Sequence, residues 1–215
     1  MASAKVQSTN TNQTAVGGVF TAVTLSNVVA GDMLLVVARC TPSAGSATPT
    51  ISDGVNTWIQ ITVLTNGASQ NASWYCKSSV AGTVNITIAQ ASANFLEAVF
   101  VEYGQRYILE EKNTATGSAS VLTTASVTSL QAPELVIGWC SNETANGRTF
   151  TYGTGFSATD SANGNVAVED LLAATASVHA SSITYSGTGV TWFAGVLAFF
   201  QYPLAATPLQ QQIYA

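Results

Sequence analysis

One histidine, three cysteines and eleven carboxylates are the groups through which this chain of 215 residues could carry out a reaction. His179 lacks a partner for acyl transfer. No Gly-x-Ser-x-Gly elbow, which would hold a serine on a sharp strand-to-helix turn, occurs in the sequence. A lone histidine without Cys-x-x-Cys or His-x-x-x-His spacing also offers zinc too few ligands. Glycoside hydrolysis needs two carboxyl groups flanking a bound sugar. Glu97 and Glu102 are five apart, so an extended strand turns them to opposite faces, and the adjacent Glu169 and Asp170 diverge in the same way. Both sets read as charges on sheet edges, where they discourage pairing with other chains. Asp53 and Asn56 offer oxygens to calcium but lack the alternating acids of a dedicated calcium loop. An Asx turn that delivers Trp58 to the core is the simpler account of the same residues. No catalytic group, metal or cofactor is expected.

Binding by flat rings is the alternative to chemistry. Trp74, Tyr75 and Tyr152 have polar neighbours and are the candidates for stacking on sugars, whereas most other aromatics lie inside apolar runs that suit a core. Charge is scarce: 8% of the residues carry it, against about 25% in an ordinary soluble domain. Six Lys and Arg scattered through a chain of net charge −5 cannot track a phosphate backbone, which excludes nucleic-acid binding by a basic face. An apolar content of 47% excludes intrinsic disorder. The strongest apolar run, Trp192 to Phe200, is too short to span a bilayer, and the start of the chain has no apolar core of a secretory signal. Cys40 and Cys140 end apolar runs, and an odd count of three cysteines argues for buried, inert thiols rather than a disulfide framework.

The elements that must position these residues are strands. Val84, Ile86 and Ile88 alternate with Asn85 and Thr87, the period of a half-buried strand. Similar runs over 19–25, 33–40, 58–64, 73–78, 95–103, 125–129, 134–140, 150–152, 166–174, 181–185 and 192–200 are punctuated by Asp53-Gly54, Asn66-Gly67 and Asn163-Gly164. Only 162–176 also fits a turn or two of helix. The pattern predicts an all-β chain, an antiparallel β-sandwich or jelly roll. Residues 1–14 read as an N-terminal arm, 15–202 as the sandwich and 203–215 as an extended tail. The sandwich divides into related halves, 15–111 and 121–202, joined by a polar crossover at 112–120. Leu35 to Cys40 lines up with Leu135 to Cys140 at an offset of 100, and Asn94-Phe95 with Trp192-Phe193 at 98, which suggests an internal duplication.

Gly31 to Val37, Pro49 to Trp58 and Phe95 to Tyr103 together resemble β-sandwich domains of tailed-phage virion proteins and bacterial surface proteins, a likeness covering roughly residues 15 to 200. The resemblance implies a fold and supplies no catalytic residue to carry across. With the charge-poor composition and the absence of an export signal, it leads to the expectation of a structural protein on the exterior of a phage particle, made in the host cytoplasm. The expected role is a capsid decoration or cement protein, a homo-oligomer with a trimer favoured, binding neighbouring capsid subunits. Pro203 and Pro208 would keep the tail extended, and Leu204, Leu209, Ile213 and Tyr214 would anchor it on a partner. The alternative is a carbohydrate-binding or adhesion module that engages glycans.

Overall fold

The computed structural model describes residues 4–14, 19–42, 48–91, 93–118, 126–128, 130, 132–142, 148–186 and 191–201. Among these residues every regular element is a strand. The first half of the chain forms β1 (Lys5–Thr14), β2 (Val23–Val28), β3 (Met33–Pro42), β4 (Thr50–Ser52), β5 (Ile59–Asn66), β6 (Ser69–Cys76), β7 (Gly82–Ala89) and β8 (Ala93–Tyr103). The second forms β9 (Tyr107–Gly117), β10 (Val127–Thr128), β11 (Glu134–Asn142), β12 (Phe150–Thr151), β13 (Ser157–Ala162), β14 (Val166–Ala173), β15 (Val178–His179), β16 (Thr184–Tyr185) and β17 (Trp192–Gln201).

Two five-stranded antiparallel sheets, β1-β8-β3-β6-β5 and β13-β14-β11-β17-β9, face each other. Met33, Leu35, Val37, Val99 and Val101 from one meet Leu135, Ile137, Trp139, Leu197 and Phe199 from the other in a shared central core. Side chains alternate across a strand, so Leu34, Val36 and Ala38 point outward from the first sheet. They pack there under a smaller sheet, β2-β7-β4. The second large sheet is covered outside by two short pairs, β10-β15 and β12-β16, over two smaller clusters. Strands with an apolar layer on each side must be apolar on both faces, which is why β3, β11 and β17 show no alternation. The same burial makes β14 a strand where a helical turn was the competing expectation.

Edge strands depart most from expectation. The arm read over 1–14 contains β1, paired along its length with β8, and the crossover read over 112–120 supplies the end of β9 up to Gly117, paired with β17. Both are polar because an edge strand at the rim of the sandwich buries few of its side chains. Residues 119–120 lie outside the described residues.

One strand order occurs twice. Within each half the first, eighth, third, sixth and fifth strands make the large sheet and the second, seventh and fourth cover it, with the seventh broken into β15 and β16 in the second half. This is the path of a jelly roll whose fifth strand has joined the larger sheet. The bulges repeat as well. An extra residue stands at Val6 in β1 and Glu110 in β9, and at Ile61 in β5 and Thr159 in β13. Superposing the bulges matches Met33 with Leu135 and Tyr103 with Phe199, offsets of 102 and 96. Each differs by two residues from the offset that the sequence pattern suggests.

Candidate functional site

The carboxylates sit inside the protein rather than around a groove. Glu97 and Glu102 lie on β8, which is flanked by β1 and β3, so neither is an edge charge as the spacing had implied. Glu97 faces the central core, where Arg39 Nη1 donates to it at 2.6 Å and Asn165 Nδ2 at 3.1 Å. Asn71 Nδ2 donates to Ser141 Oγ nearby, at 3.0 Å, so this end of the inter-sheet contact closes on a polar belt. Glu102 points the other way and accepts from the Val29 amide at 2.9 Å and from Gln7 Nε2. Glu169 and Asp170 diverge as expected, but on a buried strand. Glu169 accepts from Ser181 Oγ and the Gly153 amide, both at 2.7 Å, and burial raises its pKa despite those two bonds. Asp170 lies beside the Tyr103 hydroxyl, which burial and then that charge hold well above the usual tyrosine range. No two of these acids share an open groove among the described residues. The arrangement holds strands and loops in place.

The remaining candidates resolve residue by residue. Asp53 Oδ1 accepts from the amides of Val55 and Asn56 at 3.0 and 2.8 Å, and Oδ2 from Asn56 Nδ2 at 2.7 Å. Asn56 Oδ1 in turn accepts from the Val80 amide at 2.8 Å. The oxygens considered for calcium are thus spent on an Asx turn, and Trp58 beyond it packs on the outer core of the first half. His179 is half-buried beside Ser177, with its pKa lowered by burial. Trp74 and Tyr75 are buried and cannot present a ring face to a sugar. Trp74 packs in the outer core, and Tyr75 meets Phe199 edge-on in the central one with centroids 5.5 Å apart. Polar neighbours misled here because Ser69 to Ser73 are themselves buried in β6. Tyr152 is half-buried against the outer core of the second half. Pro203, Leu204, Pro208, Leu209, Ile213 and Tyr214 lie outside the described residues.

What the structure adds is a cleft of about 280 Å³ between the edges of the two large sheets. Ile61 to Leu64 of β5 line one wall, and Lys112, Asn113 and Thr114 of β9 the other. The opposite side of the sandwich, where β1 meets β13, holds the matching positions and is closed. There the Thr159 carbonyl accepts from Lys5 Nζ at 2.8 Å and Ser8 Oγ at 3.4 Å, and Asn10 Nδ2 reaches Asp160 Oδ1 at 3.0 Å. Lys112 stands where Ser8 does, and its Nζ donates to the Ile61 carbonyl, the counterpart of Thr159. The Asn10–Asp160 bridge, however, is replaced by Thr114 and Thr62. Two short side chains cannot span the gap, and the Thr62 hydroxyl bonds instead to Ser73 of its own sheet at 2.7 Å.

Comparison with protein-family models, with curated proteins and with solved structures finds no match.

Proposed function

We propose that this chain is a structural, non-enzymatic protein of a bacteriophage particle, a homotrimeric decoration protein that lies on the capsid exterior across neighbouring capsid subunits. The observation that carries the reading is where the charge resides. Asp32, Arg39, Glu97, Glu102, Glu134, Glu169 and Asp170 are buried; of the other described charged groups Lys5, Asp53, Arg106, Glu110, Glu111, Arg148 and Asp160 are half-buried, and only Lys77 and Lys112 are fully exposed. A surface of Ser, Thr, Asn and Ala without like-charge repulsion favours close association.

Three loops at one end of the first half add a contact face to that surface. They expose Val29 (54%), Val55 (64%) and Val80 (52%). Polar bonds hold these tips: Ser79 Oγ donates to the Val29 carbonyl at 2.8 Å, and Asn56 holds Val80. Apolar groups presented on a pre-organised frame lose little entropy on docking. The same reading takes the repeated strand order as an internal duplication that gives one chain two related faces. A glycan-binding module would instead need solvent-facing rings, and two of its three candidates are buried.

Light scattering on the full chain and on a chain ending at Tyr202 tests the reading. A trimer that weakens on truncation is the expected result. A monomer in both forms would argue against it, and a glycan array would then test the adhesion alternative.

A further inference from the structure

The strands at the four edges of the two large sheets are not guarded alike. β1 carries Lys5, β13 carries Asp160 and β9 carries Glu110, Glu111 and Lys112, whereas β5, Ile-Gln-Ile-Thr-Val-Leu-Thr-Asn, carries no charge and no proline. Charges and prolines are what keep an edge from pairing with another chain. β5 keeps one such device, the bulge at Ile61, and beyond it runs in regular register with β6 from Thr62 to Asn66. No strand among the described residues pairs with its outer side. Beside this regular stretch opens the cleft, which is closed at the matching place on the other side of the molecule.

We propose that the β5 edge and its cleft bind an extended peptide segment of a partner chain, with a carboxylate on that segment meeting Lys112. In strand addition the main chain supplies the hydrogen bonds, and pockets for every second side chain supply the selectivity. A strand laid along Thr62 to Asn66 directs alternate side chains into the space between Thr62 and Leu64 on one wall and Thr114 on the other. Among the described residues Lys112 is the only charged group lining that space, and its present partner is a neutral carbonyl, that of Ile61. A carboxylate is the stronger acceptor for an ammonium group. A second copy of this chain fits less well. Pairing β5 with its own copy gives Lys112 no carboxylate from the added strand, since β5 carries no charge. This site goes beyond the proposed role on a phage particle and does not depend on it.

The test is a pair of blocked octapeptides of alternating Thr and Val, one with a central Glu and the other with Lys in its place. Each is titrated into the ¹⁵N-labelled full chain by NMR. The Glu peptide is expected to shift amides of β5 and β9 with a Kd of about 1 mM or tighter. The Lys peptide should bind about fivefold more weakly, the range of a partly exposed ion pair. Lys112→Ala should make the two peptides equal. Thr62→Asp with Thr114→Asn, which installs the Asp160 and Asn10 pair of the closed side, should abolish binding with the remaining amides undisturbed. Absence of shifts, shifts centred elsewhere, or equal binding of both peptides to the unaltered protein would overturn the proposal. So would a dimer formed through β5 without peptide.

Discussion

Trp139 and Gly195 face each other across β11 and β17, where the first half of the chain places Val37 and Val99. A Cβ added to Gly195 would lie 2.4 Å from the Trp139 ring, so the indole occupies the volume the glycine gives up. Gly195→Ala is therefore expected to cost about 1–3 kcal/mol in urea unfolding, the range of overpacked cores. Trp139→Val combined with Gly195→Val, which restores the pair of the other half, should recover much of that loss. Double-variant stability no better than that of Trp139→Val alone would refute the matched environments. Glu169 is the titratable position to watch. Burial raises its pKa from the ordinary 4.5, so the folded protein holds the proton more tightly than the unfolded chain does. Its contribution is full below pH 4.5 and is lost as pH rises through the raised value. Glu169→Gln keeps an acceptor for the Gly153 amide and a donor for Ser181. Urea midpoints measured across this pH range should lose that component in the variant and keep it in the unaltered protein.

Strands explain which residues the sequence revealed and which it hid. β3, β8, β11 and β17 are legible because burial on both faces leaves continuous apolar runs. β1, β9 and β13 are edge strands, half-buried and polar, and carry no alternating signal. The correspondence read from the sequence between the halves differs by two residues from the one that the recurring bulges give. A slip of two leaves every side chain on its own face, so hydrophobic pattern cannot detect it, whereas the four bulges fix the register. The cleft was hidden altogether, because the exchange of Asn10 and Asp160 for Thr114 and Thr62 has meaning only once that register is known. Glu97 was misread for the same reason: its place on a central strand depends on β1 covering one side of β8. Glu97→Ala should show what that place means. It removes the carboxylate that faces the buried Arg39 charge and the tie to Asn165 at the β13–β14 turn, at an expected cost of about 3–5 kcal/mol in urea unfolding. Lys112→Ala, at an exposed edge, should cost less than about 1 kcal/mol. Similar values for the two would mean that the buried pair matters no more to stability than an exposed charge does.

At the scale of the whole molecule, the two halves share one central core and neither can bury its inner face alone. Unfolding is therefore expected as a single calorimetric transition, and two resolved transitions would show the halves to be independent. The thiols report on each half separately. Cys40 and Cys76 lie in the outer core of the first half and Cys140 in that of the second. Burial pushes all three up, Cys40 to about 12, so an aromatic disulfide reagent should find no thiolate in the native state. All three should then react in one phase as the chain unfolds. A fast phase from Cys140 alone would place an opening in the second half, where the covering strand is broken. The withdrawal of charge into the interior reaches further than stability. Dissolved ions act on proteins mainly by screening surface charge, over a Debye length that shrinks from about 30 Å in dilute buffer to about 3 Å in molar salt. A surface on which few charges are fully exposed should feel that change only weakly, so contacts made through it, the ion pair proposed at Lys112 apart, would hold much of their strength from fresh water to brine.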